Sequence, residues 1–229
     1  MAHIPAPNRM KSFDIPHKGL RNVLAQLNHL AGSTDFTDTK SVEKLLKTGR
    51  DLFHMLTEHA EIEDTVLLAA LEQRSPGAGQ PNSDEHTVIE AQQARLEQML
   101  ENLTELALRG ERDDALAQEF YFDLNRFHSA YLLHMLGEEE ETQKLLWEHF
   151  SDAELLEMTK QAIARVKPDE MLLWVHYAAP AMDHAGRLDW MRGMKAGAPE
   201  VFFKQALETL QSALPTADYV RLEQELSGL

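Results

Sequence analysis

Four of the eleven histidines in this chain are followed, four positions on, by a glutamate: His54 and Glu58, His59 and Glu63, His86 and Glu90, His134 and Glu138. In an α-helix that offset places both side chains on one face, about 6 Å apart along the axis, where both can reach one cation. An acidic helical protein produces such pairs by chance, so the phase of each pair against the apolar stripe of its helix decides which can act. His54 and Glu58 share a face with Lys47, Asp51, Glu61 and Thr65, a solvent face, and are set aside. His59 with Glu63 and His134 with Glu138 interrupt stripes that are otherwise apolar. His86 sits at the margin of its core face, whereas Glu90 is turned about 100° from the centre of that face. His17 is in phase with Leu20 and Leu24 and points inward. His29 lies about 18 Å further along the same helix and about 120° around it, and is excluded.

What remains is a repeat: His17, then His59 and Glu63; His86, then His134 and Glu138. Buried imidazoles and carboxylates are costly unless paired or metal-bound, so six of them facing one core ask for a cation. Four nitrogens and two oxygens crowd one metal but suit two, with Glu63 and Glu138 bridging and open positions left on each. Cysteine is absent, which excludes disulfides, thiolate nucleophiles, iron–sulfur clusters and thiolate-bound zinc. The donor set suits iron, manganese or zinc, and open positions on paired iron favour binding or activating a small oxidant. Tyr131, one turn before His134, reads as a core residue within reach of the site.

The scaffold for these residues is set by the punctuation of the chain. Turn-forming residues cluster at positions 31–40, 75–82, 110–114 and 150–152, leaving helical segments over about 15–30, 41–73, 83–110 and 114–149. Ser83 is placed to cap the third, ahead of Asp84 and Glu85 in the first turn. Long helices joined by short connections make an up-down-up-down four-helix bundle, so the fold class expected is all-α. In such a bundle the six groups lie at comparable heights. Residues 151–229 read as a C-terminal extension of shorter helices beyond a bundle domain at 1–150. Ser151 with Glu154 forms a capping box, and Pro168, Pro199 and Thr216 suit helix starts. Trp174, Tyr177, Trp190, Met191, Met194, Phe202 and Phe203 supply packing material for the bundle or for a second copy.

The stretches FDIPHKGLRNVLAQL, EHAEIEDTVLLAAL, SDEHTVIEAQ and YLLHMLGEEEETQKLLWEHFSDAEL, in that order across about residues 12–157, resemble the hemerythrin-like, or HHE cation-binding, family. The resemblance implies a four-helix bundle around a non-haem di-iron centre with carboxylate and oxo or hydroxo bridges, at which O₂, NO or peroxide binds. Carried over residue by residue, it implies His17, His59, Glu63, His86, His134 and Glu138 as ligands. Oxygen carriers of the family have a second histidine four residues after the third-helix histidine, where this chain has Glu90. One nitrogen fewer implies a reactive or sensory site rather than a reversible carrier. Those carriers also place the fourth-helix carboxylate five residues after its histidine, which would select Glu139; the core phase selects Glu138. Relatives that repair damaged iron centres often carry a Cys-bearing N-terminal domain, and the lack of cysteine here weighs against repair; the alternative reading is a metal-stabilised interaction or iron storage or repair protein whose C-terminal helices mediate dimerisation or partner binding.

The composition bounds what else the chain can do. A net charge of −16 with no Lys/Arg run argues against nucleic acid or an anionic membrane surface. Hydrophobic residues at 43% and charged residues at 26% are those of a protein with a full core. No stretch approaches the length of a membrane span, and Met1–Asp14 lacks the apolar core of a leader, so the cytoplasm is the expected compartment. The expectation is a stress-response protein whose ligand is a diatomic gas or peroxide and whose C-terminal helices serve a homodimer or partner. Any turnover would be peroxidase-like and would need an external reductant.

Overall fold

The computed structural model describes residues 9–228, and among them every regular element is helical. The reading of the first eight residues as leaderless lies outside the described residues. Asp38 opens the second helix by accepting the Ser41 N–H at 3.1 Å, and Asp113 opens the fifth by accepting that of Leu116 at 2.9 Å. The helices are α1 Asp14–Ser33, α2 Thr39–Ile62, α3 Ala69–Arg74, α4 Gln80–Leu108, α5 Asp114–Gly137, α6 Gln143–His149, α7 Asp152–Arg165, α8 Pro168–Ala178, α9 His184–Gly197, α10 Glu200–Ala213 and α11 Thr216–Ser227.

Two of the four long segments expected from sequence are not plain α-helices. A π turn, Glu63–Leu68, joins α2 to α3, and a second, Glu138–Thr142, joins α5 to α6. Hydrogen bonds to the fifth residue instead of the fourth fit one more residue into the turn and shift the phase of the helix beyond it. The third segment also differs at its start. It begins at Gln80, with Pro81 in its first turn, rather than behind a Ser83 cap. The Ser83 hydroxyl donates instead to Asp64 Oδ1 at 2.9 Å. Its other end turns at Gly110, whose φ of 71° is the left-handed conformation that glycine adopts without a Cβ clash.

Contacts divide the chain into two units. The first runs up to Asp14 and takes in Val23–Arg165. Within it α4 packs on both α2 and α5, α3 packs on α6, and α7 lies against the first π turn. Gly49 on α2 lets α4 approach, since a Cβ there would overlap Leu100. Phe13, Val66, Leu67, Leu71, Leu146, Phe150, Leu155 and Met158 form one apolar cluster around the far ends of the two interrupted helices. Arg74 closes it, stacking 4.1 Å over Phe150 and bonding to His149 and Glu154. The capping box expected at the start of α7 is present: the Ser151 N–H donates to Glu154 at 2.8 Å.

The second unit comprises Ile15–Asn22 and Val166–Leu229. It has a core of its own, in which Met191 and Phe203 join Val175, Leu188, Leu210 and Leu222, with Trp190 and Met194 packed against them. α8 packs on α10, and α11 on α9 and α10. The buried Arg187 is held by the carbonyls of Ala179 at 2.8 Å and Met182 at 2.9 Å, which satisfies an otherwise costly charge. Among the described residues no helix is long and apolar enough to cross a membrane.

Candidate metal centre

His59 lies in the last turn of α2 and Glu63 opens the π turn behind it; His134 lies in the last turn of α5 and Glu138 opens the second. The two halves of the sequence repeat are thus built on the same local device. His86, in the second turn of α4, faces both. Glu63 and Glu138 are 2% and 1% exposed, and His59, His86 and His134 are all buried. His59 Nε2 lies 3.0 Å from Glu63 Oε1, and His134 Nε2 lies 3.5 Å from Glu138 Oε1. His86 Nε2 sits between the carboxylates, 3.5 Å from Glu63 and 3.7 Å from Glu138. Glu63, His86, His134 and Glu138 each offer one ligand atom, all within 4.8 Å of one another.

Two carboxylates cannot both be ionised in a buried core without a positive charge between them. The inward Nε2 of His134 is buried and has no hydrogen-bond partner. Imidazole nitrogens and carboxylate oxygens converging on one buried space, one nitrogen without a hydrogen bond, fit a metal-binding site.

The outer edges of the rings are tied as well. His86 Nδ1 donates to Asp64 Oδ1 at 3.1 Å, and His134 Nδ1 donates to Glu85 Oε2 at 2.8 Å. Asn82 Nδ2 donates to Glu138 Oε1 at 3.1 Å, while the Thr142 hydroxyl donates to Asn82 Oδ1 at 3.1 Å. Tyr131 is buried with its ring 5.5 Å from that of His134, edge to face. Burial, followed by the charges of Glu63 and Glu138, raises its hydroxyl well above the usual tyrosine range, so Tyr131 keeps its proton.

Five of the six residues singled out from sequence meet in the first unit. His17 is fully buried on α1, in the Ile15–Asn22 stretch that groups with the second unit. His54 and Glu90 are exposed, as their helix phase requires, and of the neighbouring carboxylates Glu138 is buried while Glu139 is only half-buried. Sequence reasoning missed Asn82, Asp64, Glu85 and Thr142. The signal for Asn82 is its place one turn before His86, on the same face.

Burial favours the neutral form of His86, but bonds to Glu138 and Glu63 and their charges outweigh it and push its pKa up to about 11. The raised value means that His86 carries its extra proton throughout the pH range below about 11 in the metal-free protein. A cation that takes its Nε2 must displace that proton, so apparent affinity rises with pH, about tenfold per unit for one proton released. Calorimetric titration of metal into the stripped protein, in buffers of different ionisation enthalpy, checks this. An observed enthalpy independent of buffer would refute it.

An all-helical protein with a buried imidazole–carboxylate donor set belongs to the class of non-thiolate metal-binding proteins. More narrowly, the chain belongs to the hemerythrin HHE cation-binding domain family, whose model matches residues 10–146. It is similar to F-box/LRR-repeat protein 5 of Xenopus tropicalis, 28% identical over 163 residues that cover 70% of this chain and 23% of that protein. The protein of the same name from Mus musculus is 26% identical over 165 residues, covering 70% and 22%, and that from Salmo salar is 27% identical over 165 residues, covering 70% and 22%. The chain therefore spans less than a quarter of the length of these curated relatives. No solved structure matches it significantly.

Proposed function

We propose that the chain holds two iron ions in an up-down four-helix arrangement and binds, senses or reacts with O₂, NO or peroxide in a cytoplasmic stress response. His59, Glu63, His86, His134 and Glu138 are the proposed ligands in the first unit, with His17 as the sixth. When bound, the iron pair supplies positions at which a small oxidant can be held or reduced. The single observation that carries the reading is the buried set Glu63, His86, His134 and Glu138, with its donor atoms within 4.8 Å of one another. Around it the chain's own residues exclude water, aim the nitrogens inward and leave the site one nitrogen short at Glu90, which favours sensing or reaction over reversible carriage. The test is metal content on anaerobically purified protein, with the absorption spectrum taken before and after air. Two irons per chain and a new near-ultraviolet charge-transfer band on oxidation are expected. One zinc or no metal, with no spectral change, would overturn the proposal.

A specific observation favours a second role beside the first. The matched relatives carry the similar stretch as a minor fraction of a longer F-box/LRR-repeat protein, and here the second unit has an independent core. In this reading the metal site is the sensor and the C-terminal helices bind a partner or a second copy. Light scattering of the full chain, metal-loaded and metal-stripped, is expected to give a mass that differs between the two states; the same monomer mass in both would remove the self-association version.

A further inference from the structure

The contacts around the donor set run in one direction around the site. Glu63 has as its neighbour Asp64, which reaches across to His86 on α4. His86 has as its neighbour Glu85, which reaches across to His134 on α5. One turn before His86, Asn82 reaches Glu138 in the second π turn. The first π turn and the start of α4 thus each carry a donor and, within a turn of it, a side chain that grips a donor on another element. Asp64 and Glu85 are not core residues: their side chains are 36% and 62% exposed. A carboxylate at that exposure has no need of a buried imidazole to satisfy it, whereas the imidazole has need of the carboxylate.

We propose that Asp64, Glu85 and Asn82 are the positioning residues of the site, aiming His86, His134 and Glu138 respectively at the bound metal. This rests on the metal-binding reading above and adds to it the residues that set its geometry. A carboxylate accepts and cannot donate when ionised, so its contact with Nδ1 requires the ring proton there and turns Nε2 toward the interior as the coordinating atom. Asp64 is itself fixed by the Ser83 hydroxyl, so the start of α4 holds the residue that holds His86. Asn82 does for a carboxylate what these two do for the rings. Its amide donates to Oε1 of Glu138, while Thr142, from the π turn that Glu138 opens, fixes the amide's orientation by donating to its oxygen. The opening of α4 contributes His86, supplies the supports of the other two donors, Glu85 and Asn82, and through Ser83 touches the support of its own.

The experiment compares metal-stripped full-length chains: wild type, Asp64→Asn, Glu85→Gln, Asn82→Ala, His134→Ala, and Asp84→Asn as a control. Asp84 lies beside Glu85 at the same helix start but accepts a hydrogen bond from Gln80, so Asp84→Asn removes the same charge without touching a ring. Co(II) is the probe, its affinity measured by competition with a chelator, and its paramagnetically shifted, exchangeable Nδ1–H resonances report each coordinated imidazole. Asp64→Asn and Glu85→Gln are expected to weaken Co(II) by about ten- to a hundredfold, each moving or broadening one ring N–H signal. Asn82→Ala is expected to weaken binding with the ring signals still sharp, and Asp84→Asn to leave both unchanged. Unfolding midpoints of the stripped chains separate loss of aim from loss of fold. Wild-type affinity and signals in Asp64→Asn and Glu85→Gln, with binding lost in His134→Ala, would overturn the positioning role and leave the metal reading standing. An equal loss in Asp84→Asn would overturn it in favour of plain charge. No Co(II) uptake by wild type would overturn both.

Discussion

Glu63→Ala is expected to reduce metal in the purified chain to background and abolish any iron-dependent absorption, whereas His54→Ala leaves both as in wild type. Glu63 is 2% exposed, 3.0 Å from His59 Nε2 and 3.5 Å from His86 Nε2. Losing it removes an anionic donor and the negative charge that makes the pocket attractive to a cation. The expected loss of affinity exceeds the roughly hundredfold that comes from losing an outer partner alone. His54 lies on α2 five residues before His59, with a glutamate at the same offset, but it is exposed. The pair of variants therefore asks whether spacing or phase makes a ligand. Elemental analysis of the two proteins beside wild type is the check, and equal metal in all three would sink the assignment of Glu63.

Phe127→Ala is expected to cost the first unit about 3–5 kcal/mol of unfolding free energy, the range for a large aromatic removed from a core that cannot collapse around the cavity. Phe127 is 2% exposed, and its ring centroid lies 5.7 Å from that of Tyr131, which in turn lies 5.5 Å from His134. Along α5 these residues are spaced by four and then three, so they form one ridge running from the packed interior to His134 in the donor set. Removing its base loosens Tyr131 and with it one wall of the site. Urea unfolding of the metal-stripped chain measures the cost without contribution from bound metal. A change below about 1 kcal/mol, the size of a surface substitution, would contradict this role for Phe127 in the core.

The buried donors were legible because burying a histidine or glutamate in an apolar stripe is a visible breach of pattern. His59, Glu63, His134 and Glu138 stand where leucine belongs, and helix phase alone separates Glu138 from Glu139 and His59 from His54. Asp64 and Glu85 break no pattern: a partly exposed carboxylate on an acidic helix looks like any solvated charge until the partner helix is in place. Asn82 was hidden for a different reason. Ser83 is a good capping residue, and a helix starting there leaves Asn82 in a loop, whereas α4 begins at Gln80 and puts Asn82 on the face of His86. The two π turns are invisible to a search with a fixed period of 3.6, which sees only that the stripe drifts after Glu63. The independent core of the second unit was legible in its residues but not in its grouping, because composition names the apolar side chains and not the neighbours they choose.

The π turns carry a consequence for how the chain can change over evolutionary time. Each holds one residue more than an α turn would, directly after a carboxylate of the site. Deleting a single residue from Thr65–Leu68 would restore ordinary winding rather than break the helix. It would leave His59 and Glu63 in step and keep the residues beyond on their present faces, because the wide turn is what accommodates the extra residue. Leu71, on the far side, would stay in the cluster it shares with Leu146 and Phe150, whereas the same deletion within α2 or α3 would turn it out. The turn is a register joint: the ligand-bearing and packing-bearing halves of each long helix keep separate phases, and an insertion or deletion confined to one half can be absorbed there without resetting the other.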